Sequence, residues 1–480
     1  MAAMTRAAFR RQVRNFVLIW IGLTVVIGAV TFIAVYMTYP SINPGGGDLR
    51  SSAALPTEAA TEVAQVAATA TATVQSQPTP TDYVLPTVTP RGGATAQTEA
   101  GAQAASPAAP EPTSLPATPL PVDVQRFQMG VQVQVSYDNM AGWMDVAANQ
   151  LSMDWVKMQV RWEDIEAEKD VYDWFYLDTY LPAAQAQGVK VLISVVTAPA
   201  WAREPGANLD AHGPPADPNE YAQFVADILE RYPNMVHAVE VWNEMNLDRE
   251  WTSTRGLSAA NYVELLRVTA QAIKAVDPGV IVVSGALSPT GLSDGVRAWD
   301  DFVYMDQLIA AGLLNYADCV GAHHNGYNLS PQYTWDAAPN DPSATFRGPF
   351  DNPHHSWSFR STLQTYADKI ALAGGDQRLC VTEFGWPSAE GLDGVPEGFG
   401  FANDNSLEEQ RDFTLQAIEF MEQSDFVQLA FLWNLNYGAQ AGWASDNDNV
   451  PYSIIGPNFV FRPVFDAVRD WNREYEAQFQ

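Results

Sequence analysis

After Val122 the chain alternates short apolar runs rich in Val, Ile and Leu with longer stretches whose apolar residues recur at helical spacing, and nothing else in the sequence limits the fold as much. The strand candidates are FQMGVQVQV (127–135), WVKMQV (155–160), KVLISVV (190–196), AVEVW (238–242), VIVVSG (280–285), CVGAH (319–323), LCVTE (379–383) and VQLAFLWN (427–434). Helical patterns fill the intervals at 143–151, 176–187, 218–232, 258–276, 299–311, 358–373 and 406–424, and one at 463–475 closes the series. Strands separated by helices pair in parallel, so eight such units predict an α/β fold, a (β/α)8 TIM barrel over residues 123–480 with enlarged loops. The competing open, doubly wound sheet gathers its chemistry in one crevice, whereas here chemistry-bearing residues end many strands. No strand is followed by a GxGxxG or GxxxxGKS/T pattern, so nothing supports a nucleotide site, and no Cys/His spacing suits zinc.

The first 122 residues have a different composition. Phe16–Met37, FVLIWIGLTVVIGAVTFIAVYM, is 22 residues without a charge, enough to cross a bilayer as a helix. The run exceeds the apolar core of a cleaved signal peptide, and no small-x-small site follows it closely. Residues 1–15 hold Arg6, Arg10, Arg11 and Arg14 with no acid, so a signal anchor with a cytoplasmic N-terminus is expected. Everything after Met37 then lies outside the cytoplasm. Residues 38–122 are mainly Ala, Thr, Pro, Ser and Gln, with too few large apolar side chains to bury, and predict a disordered linker that tethers the barrel.

The 26 basic and 56 acidic residues leave a net charge of −30. The N-terminal arginines and the linker's acids offset each other, so the barrel carries that charge. It repels nucleic acid and anionic lipid, and its expected ligands are neutral or cationic. Most of the 15 Trp, 18 Tyr and 21 Phe belong to the core, but those at strand ends have the faces on which sugar rings stack. Cys319 and Cys380 are too few for a disulfide framework. Counting by twos from His323 and Glu383 puts Cys319 on the inner face and Cys380 on the outer, so two free, buried thiols are expected.

The stretch AVEVWNEMN (238–246) is an apolar strand that ends in Trp242, Asn243 and Glu244. An acid at the mouth of a buried strand is costly unless it is used, which makes Glu244 a catalytic candidate. LCVTEFGW (379–386) repeats the design with Glu383. Two carboxylates ending two strands suggest glycosidic bond chemistry. Glu240 shares the inner face with Glu244 by alternation but lies mid-strand, where a structural pair with Lys157 or Lys190 is expected.

Strand four ending in WNE, strand seven ending in TEFGW, and VRWEDIEAEKDVYDW (160–174) after strand two together resemble the retaining glycoside hydrolases of the clan A barrel superfamily, nearest to families 39 and 5. The resemblance spans Gln128 to about Trp471. It implies that Glu244 is the general acid/base with a raised pKa, Asn243 the holder of the sugar 2-hydroxyl, and Glu383 the ionised nucleophile. Arg161, ending strand two, is the cation expected to keep Glu383 charged, against a plain ion pair with Glu163 or Asp164. In similar enzymes a His and a Tyr ending strand six border the nucleophile. Here His323 is present, Asn325 stands where the Tyr is expected, and Tyr327 follows two residues on. Trp433 resembles the floor of the cleaved sugar's subsite, while Trp201 and Trp386 are candidate subsite walls or ordinary packing. Residues 324–357 form a long loop of the kind that is a functional lid or wall or else disordered, and SDNDN (445–449) is either a calcium loop or a solvated one.

These readings imply a membrane-tethered, extracytoplasmic retaining glycosidase that needs no cofactor and cleaves neutral β-linked oligo- or polysaccharides. The alternative is a non-catalytic cell-surface carbohydrate-binding protein on a degenerate barrel. Strands four and seven face each other across a barrel, which allows the roughly 5 to 5.5 Å carboxyl separation of a retaining mechanism.

Overall fold

The computed structural model describes Leu120, Val122, Asp123 and residues 125–339 and 354–479. The apolar run 16–37, the linker up to residue 119 and the middle of the loop after strand six lie outside the described residues. Among the described residues no helix is long and apolar enough to cross a membrane.

Eight parallel strands close into a barrel in sequence order, with the last pairing to the first. They are β1 (Gln128–Gln132), β2 (Trp155–Arg161), β3 (Lys190–Val196), β4 (Ala238–Val241), β5 (Ile281–Ser284), β6 (Cys319–Asn325), β7 (Arg378–Gly385) and β8 (Val427–Leu432). The principal helices between and after them are α1 (Met140–Asp145), α2 (Phe175–Gln187), α3 (Pro218–Arg231), α4 (Ala259–Val276), α5 (Asp301–Ala310), α6 (Phe359–Leu372), α7 (Leu407–Gln423) and α8 (Pro463–Glu476). The predicted eightfold alternation is the observed one. Helix starts follow local chemistry. Asp217 caps α3 by accepting from the Asn219 N–H, with Pro218 as the first helical residue, and Ser258 caps α4. Ser406 and Glu409 form a reciprocal capping box on α7.

The strands divide their side chains between two apolar layers. Val156, Met158 and Val160 of β2 and Val191, Ile193 and Val195 of β3 point outward and pack beneath the helices, where α3 adds Tyr221, Phe224 and Ile228. Each such fully buried side chain contributes roughly 1.5–3 kcal/mol relative to exposure. The inner layer fills the floor of the barrel with Trp155, Leu192, Ala238, Ile281, Val283, Leu429 and Phe431, together with both cysteines.

The thiols are not free. Cys319 and Cys380 are joined in a disulfide, with their Cα atoms 5.8 Å apart. Alternation misplaced Cys380 because β7 carries a bulge. The β6–β7 register steps from Ala322 opposite Val381 to His323 opposite Glu383, which leaves Thr382 as an extra residue. Thr382 and Glu383 therefore both face inward, as the Thr382 hydroxyl shows by donating to Glu240 Oε1 at 2.7 Å. Below the bulge the inner residue is Cys380, beside Cys319 and within the Cα range a disulfide requires.

Candidate active site

The mouth of β4 is built under backbone tension. Trp242 and Glu244 both lie in the left-handed region, with φ of 74° and 40°, a conformation that costs about 1–3 kcal/mol per residue unless the surroundings impose it. Here they do. The Trp242 N–H donates to Val195 O at 3.1 Å and the Glu244 N–H to Ala286 O at 2.9 Å. The Trp242 ring packs between Tyr221 and Trp251 and donates from Nε1 to Glu250 O. Gly285 lets β5 approach, since a Cβ there would stand 2.7 Å from Val241 O. The local twist sends Trp242 out into the helix layer and Asn243 and Glu244 into the cavity.

Glu383 enters the same cavity from β7. Its Oε1 accepts from Lys157 Nζ at 2.9 Å and its Oε2 from Asn325 Nδ2 at 3.4 Å. Lys157 is wholly buried and lies 3.5 Å from Glu240 Oε2, so one ammonium serves two acids, and the expected structural pairing of Glu240 holds. Burial works against the Lys157 charge, but Glu240 and Glu383 outweigh it and raise its pKa. The cation beside Glu383 is therefore Lys157, where Arg161 was expected. Positions 157, 159 and 161 share the inner face of β2, and depth decides among them. Arg161 stands higher, at the rim, where Glu163 and Asp164 meet its guanidinium two and three residues on.

His323 connects the two glutamates. Its Nδ1 lies 3.3 Å from Glu244 Oε1 and its Nε2 3.8 Å from Glu383 Oε1. Burial depresses the imidazolium, but Glu383 and the Glu244 hydrogen bond reverse the effect and raise its pKa. Glu244 departs from expectation. Burial pushes its carboxyl up, yet His323 and Arg249, whose Nη2 donates to Oε2 at 2.7 Å, hold it well below the ordinary range. The raised carboxyl is its neighbour Glu250, pushed up to about 7 by burial and by the Glu244 charge.

Asn243, Glu244, His323, Asn325, Tyr327, Glu383 and Trp433 line one cavity of about 700 Å³, with Arg249 and Glu250 at its β4 side. Asn243 Oδ1 is buried there without a protein partner. Trp433 packs against Tyr437 with ring centroids 5.0 Å apart, forming an aromatic wall. Trp201 and Trp386 do not line this cavity. Trp201 stands edge-on to Trp162 and donates to Glu166 O. Trp386 is buried against Phe359 and donates to Leu329 O, so both serve packing. Of the polar loop 445–449, Asp448 and Asn449 reach the cavity. The described residues with ligand types at metal-binding spacing are Asp300, His354 and His355. There Asp300 already caps α5 through Oδ1 and pairs with His355 Nε2 through Oδ2 at 2.6 Å. Sequence reasoning missed Arg249, which carries no pattern beyond its place in the loop after WNE. It also missed Lys157 as a partner of Glu383, naming that lysine only as a structural pair for Glu240.

No protein-family model matches the sequence, and neither does any curated protein. Solved structures match in fold. A family 39 glycoside hydrolase from the gut symbiont Bacteroides cellulosilyticus WH2 is 18% identical with a TM-score of 0.51, covering 73% of this chain and 64% of its own. A glucosidase from Croceicoccus marinus is 15% identical with a TM-score of 0.50, over 74% of this chain and 69% of its own. A GH5_18 protein from Bifidobacterium longum subsp. infantis is 13% identical with a TM-score of 0.51, over 73% of this chain and 79% of its own. The chain thus spans less than two thirds of the length of the family 39 structure. The families met here in three dimensions are those the strand-end motifs resemble.

Proposed function

We propose that this chain is a retaining glycoside hydrolase acting on neutral β-linked sugars. The observation that carries this reading is the placement of Glu244 and Glu383, from β4 and β7, at the two nitrogens of one buried imidazole in one cavity. In the first step a Glu383 oxygen bonds to the anomeric carbon, the glycosidic C–O bond breaks, and Glu244 gives its proton to the departing oxygen. In the second, Glu244 takes a proton from water, whose oxygen attacks the same carbon and releases Glu383. Lys157 and Asn325 keep Glu383 in its attacking position. The unpartnered Asn243 carbonyl oxygen accepts a sugar hydroxyl. The fold shared with glycoside hydrolases of families 39 and 5 supports the same assignment.

Arg249 Nη2 lies 2.7 Å from Glu244 Oε2, so in this reading a sugar that takes up the Glu244 carboxyl displaces that ion pair. A carbohydrate-binding protein without turnover is the reading that a permanently paired Glu244 favours. The panel that separates the two is hydrolysis of aryl β-glycosides of glucose, mannose, xylose and galactose by the full chain. Turnover with retained anomeric configuration, and labelling of the Glu383 peptide by a 2-fluoro glycoside of the cleaved sugar, are expected. Inverted product, or label on Glu240 or Glu244, refutes the mechanism. Binding without turnover, unchanged in Glu244→Gln, supports the binding protein.

The location we infer is the outer face of a membrane, with residues 16–37 as a single span and residues 38–122 as the tether. The Cys319–Cys380 disulfide supports this, because such bonds persist in oxidising compartments. Protease added to intact cells is expected to release the barrel, and full protection under conditions that digest a known surface protein argues against it.

A further inference from the structure

The cavity holding the two glutamates does not end at the barrel axis. Gln159 on β2 and Tyr437 after β8 line it and also line a second cavity of about 490 Å³, which opens toward the loops after β1, β2 and β8. Its size lies within the range of ordinary small-ligand sites. On its rim Tyr137, from the loop after β1, and Phe175, at the start of α2, stack with ring centroids 5.1 Å apart and planes 13° apart. Tyr137 is nonetheless 60% exposed and Phe175 61%. Single exposed aromatic residues are ordinary, but two rings from separate loops, stacked at the edge of a cavity and left in water, form a platform without a protein partner.

The polar lining fixes the chemistry of an occupant. Arg161 and Asp164 pair with each other at 3.1 Å and both face this cavity, presenting a donor and an acceptor to neighbouring hydroxyls. Asp173 adds a second carboxylate, so an anionic ligand is disfavoured and an uncharged polyol with an apolar face is suited. Direction follows from the catalytic pair. Glu244 stands on the β4 side, so the leaving group it protonates lies there, and the part of the substrate retained on Glu383 extends toward β1, β2 and β8.

We propose that this second chamber is a glycone-side subsite for a neutral β-linked oligosaccharide, with Tyr137 and Phe175 as its stacking platform and Arg161 and Asp164 as its hydroxyl partners. The assignment rests on the glycoside hydrolase reading above and adds to it where the glycone of the sugar chain lies and which side chains hold it. Arg161 thereby has a task that its distance from Glu383 would not give it.

The test compares kcat/KM of the full chain on aryl glycosides carrying one, two and three β-linked glucose, mannose, xylose or galactose units. For the correct sugar the longer glycones are expected to gain about tenfold or more over the single unit, and Tyr137→Ala/Phe175→Ala is expected to erase most of that ratio. Arg161→Gln, whose exposed site leaves the core intact, should lower the same ratio severalfold. A ratio that survives both variants overturns the proposal. If no glycoside is cut, the function proposed above fails, and calorimetric titration with the same oligosaccharides still reads the chamber. Weaker binding of the longer members by the double variant upholds it, whereas equal binding, or no binding of any oligosaccharide, overturns it.

Discussion

The floor and the mouth of this barrel are made from the same eight strands and obey opposite rules. At the floor Trp155, Leu192, Ile281, Val283, Leu429 and Phe431 fill the inside with apolar volume, and the disulfide ties β6 to β7. One level up, the same inner face holds Lys157, Glu240, Thr382, His323 and Glu383, all buried and all polar. Buried charge is a poor source of stability, because desolvation offsets most of what pairing returns. The floor is therefore where the fold is held, and the mouth is where stability is given up to keep charged groups buried. Left-handed Trp242 and Glu244 belong to the same side of that division.

The largest expected effect tests the mouth alone. Glu383→Ala should lower turnover by about 10⁴-fold or more, since no covalent intermediate forms, while the melting temperature stays near that of the parent chain. A large drop in melting temperature would show that the mouth also holds the fold. Lys157→Met probes the boundary. It leaves Glu240 and Glu383 without their shared cation and should destabilise by about 3–5 kcal/mol in denaturant titration, with activity lost as well. The floor variant Cys319→Ser/Cys380→Ser releases a cross-link between positions separated by 61 residues and should lose about 3 kcal/mol, with kcat/KM nearly unaltered. A large loss of activity there would mean that the floor sets the register of the mouth.

The smallest effect is a shift in pH. Arg249 and His323 keep Glu244 ionised below the usual carboxylate range, so in the free enzyme its proton is lost early as pH rises. Removing the guanidinium in Arg249→Gln lets the proton stay on to higher pH. The basic limb of kcat/KM should therefore move upward. Glu250 gives an opposite signature in stability. Its carboxyl is raised from an ordinary 4.5 to about 7 in the folded chain, so between those values the unfolded chain is ionised while the folded one is not. Stability falls as pH rises through that window, and Glu250→Gln should flatten the slope. An unflattened slope would assign the titration to another group.

The eightfold alternation was legible because it depends on composition averaged over whole elements, and so was the placement of both glutamates at strand ends. What failed was the counting of single side chains. Period-two reasoning carried Cys380 to the wrong face because it crossed Thr382, and nothing in LCVTEFGW marks a bulge. Arg161 was expected beside Glu383 from its place at the end of strand two, and a strand end does not say how deep in the barrel the partner carboxylate lies. Arg161 found nearer acids in Glu163 and Asp164, leaving Glu383 to the deeper Lys157. Trp201 and Trp386 were unreadable for another reason, because an indole at a strand end serves a sugar or a core equally well. The unusual spacing at Asn325 was informative: the residue standing where a tyrosine was expected bonds to Glu383 itself.

The bulge at Thr382 also bears on how such a chain changes over descent. An insertion within a strand ordinarily turns over every later side chain, so it is eliminated. Here the extra residue is absorbed in one step: Cys380 keeps its place counted from below, Glu383 keeps its place counted from above, and both remain inward. The two halves of β7 are in that sense separate units of inheritance. Substitutions above the bulge leave the count that closes the barrel undisturbed.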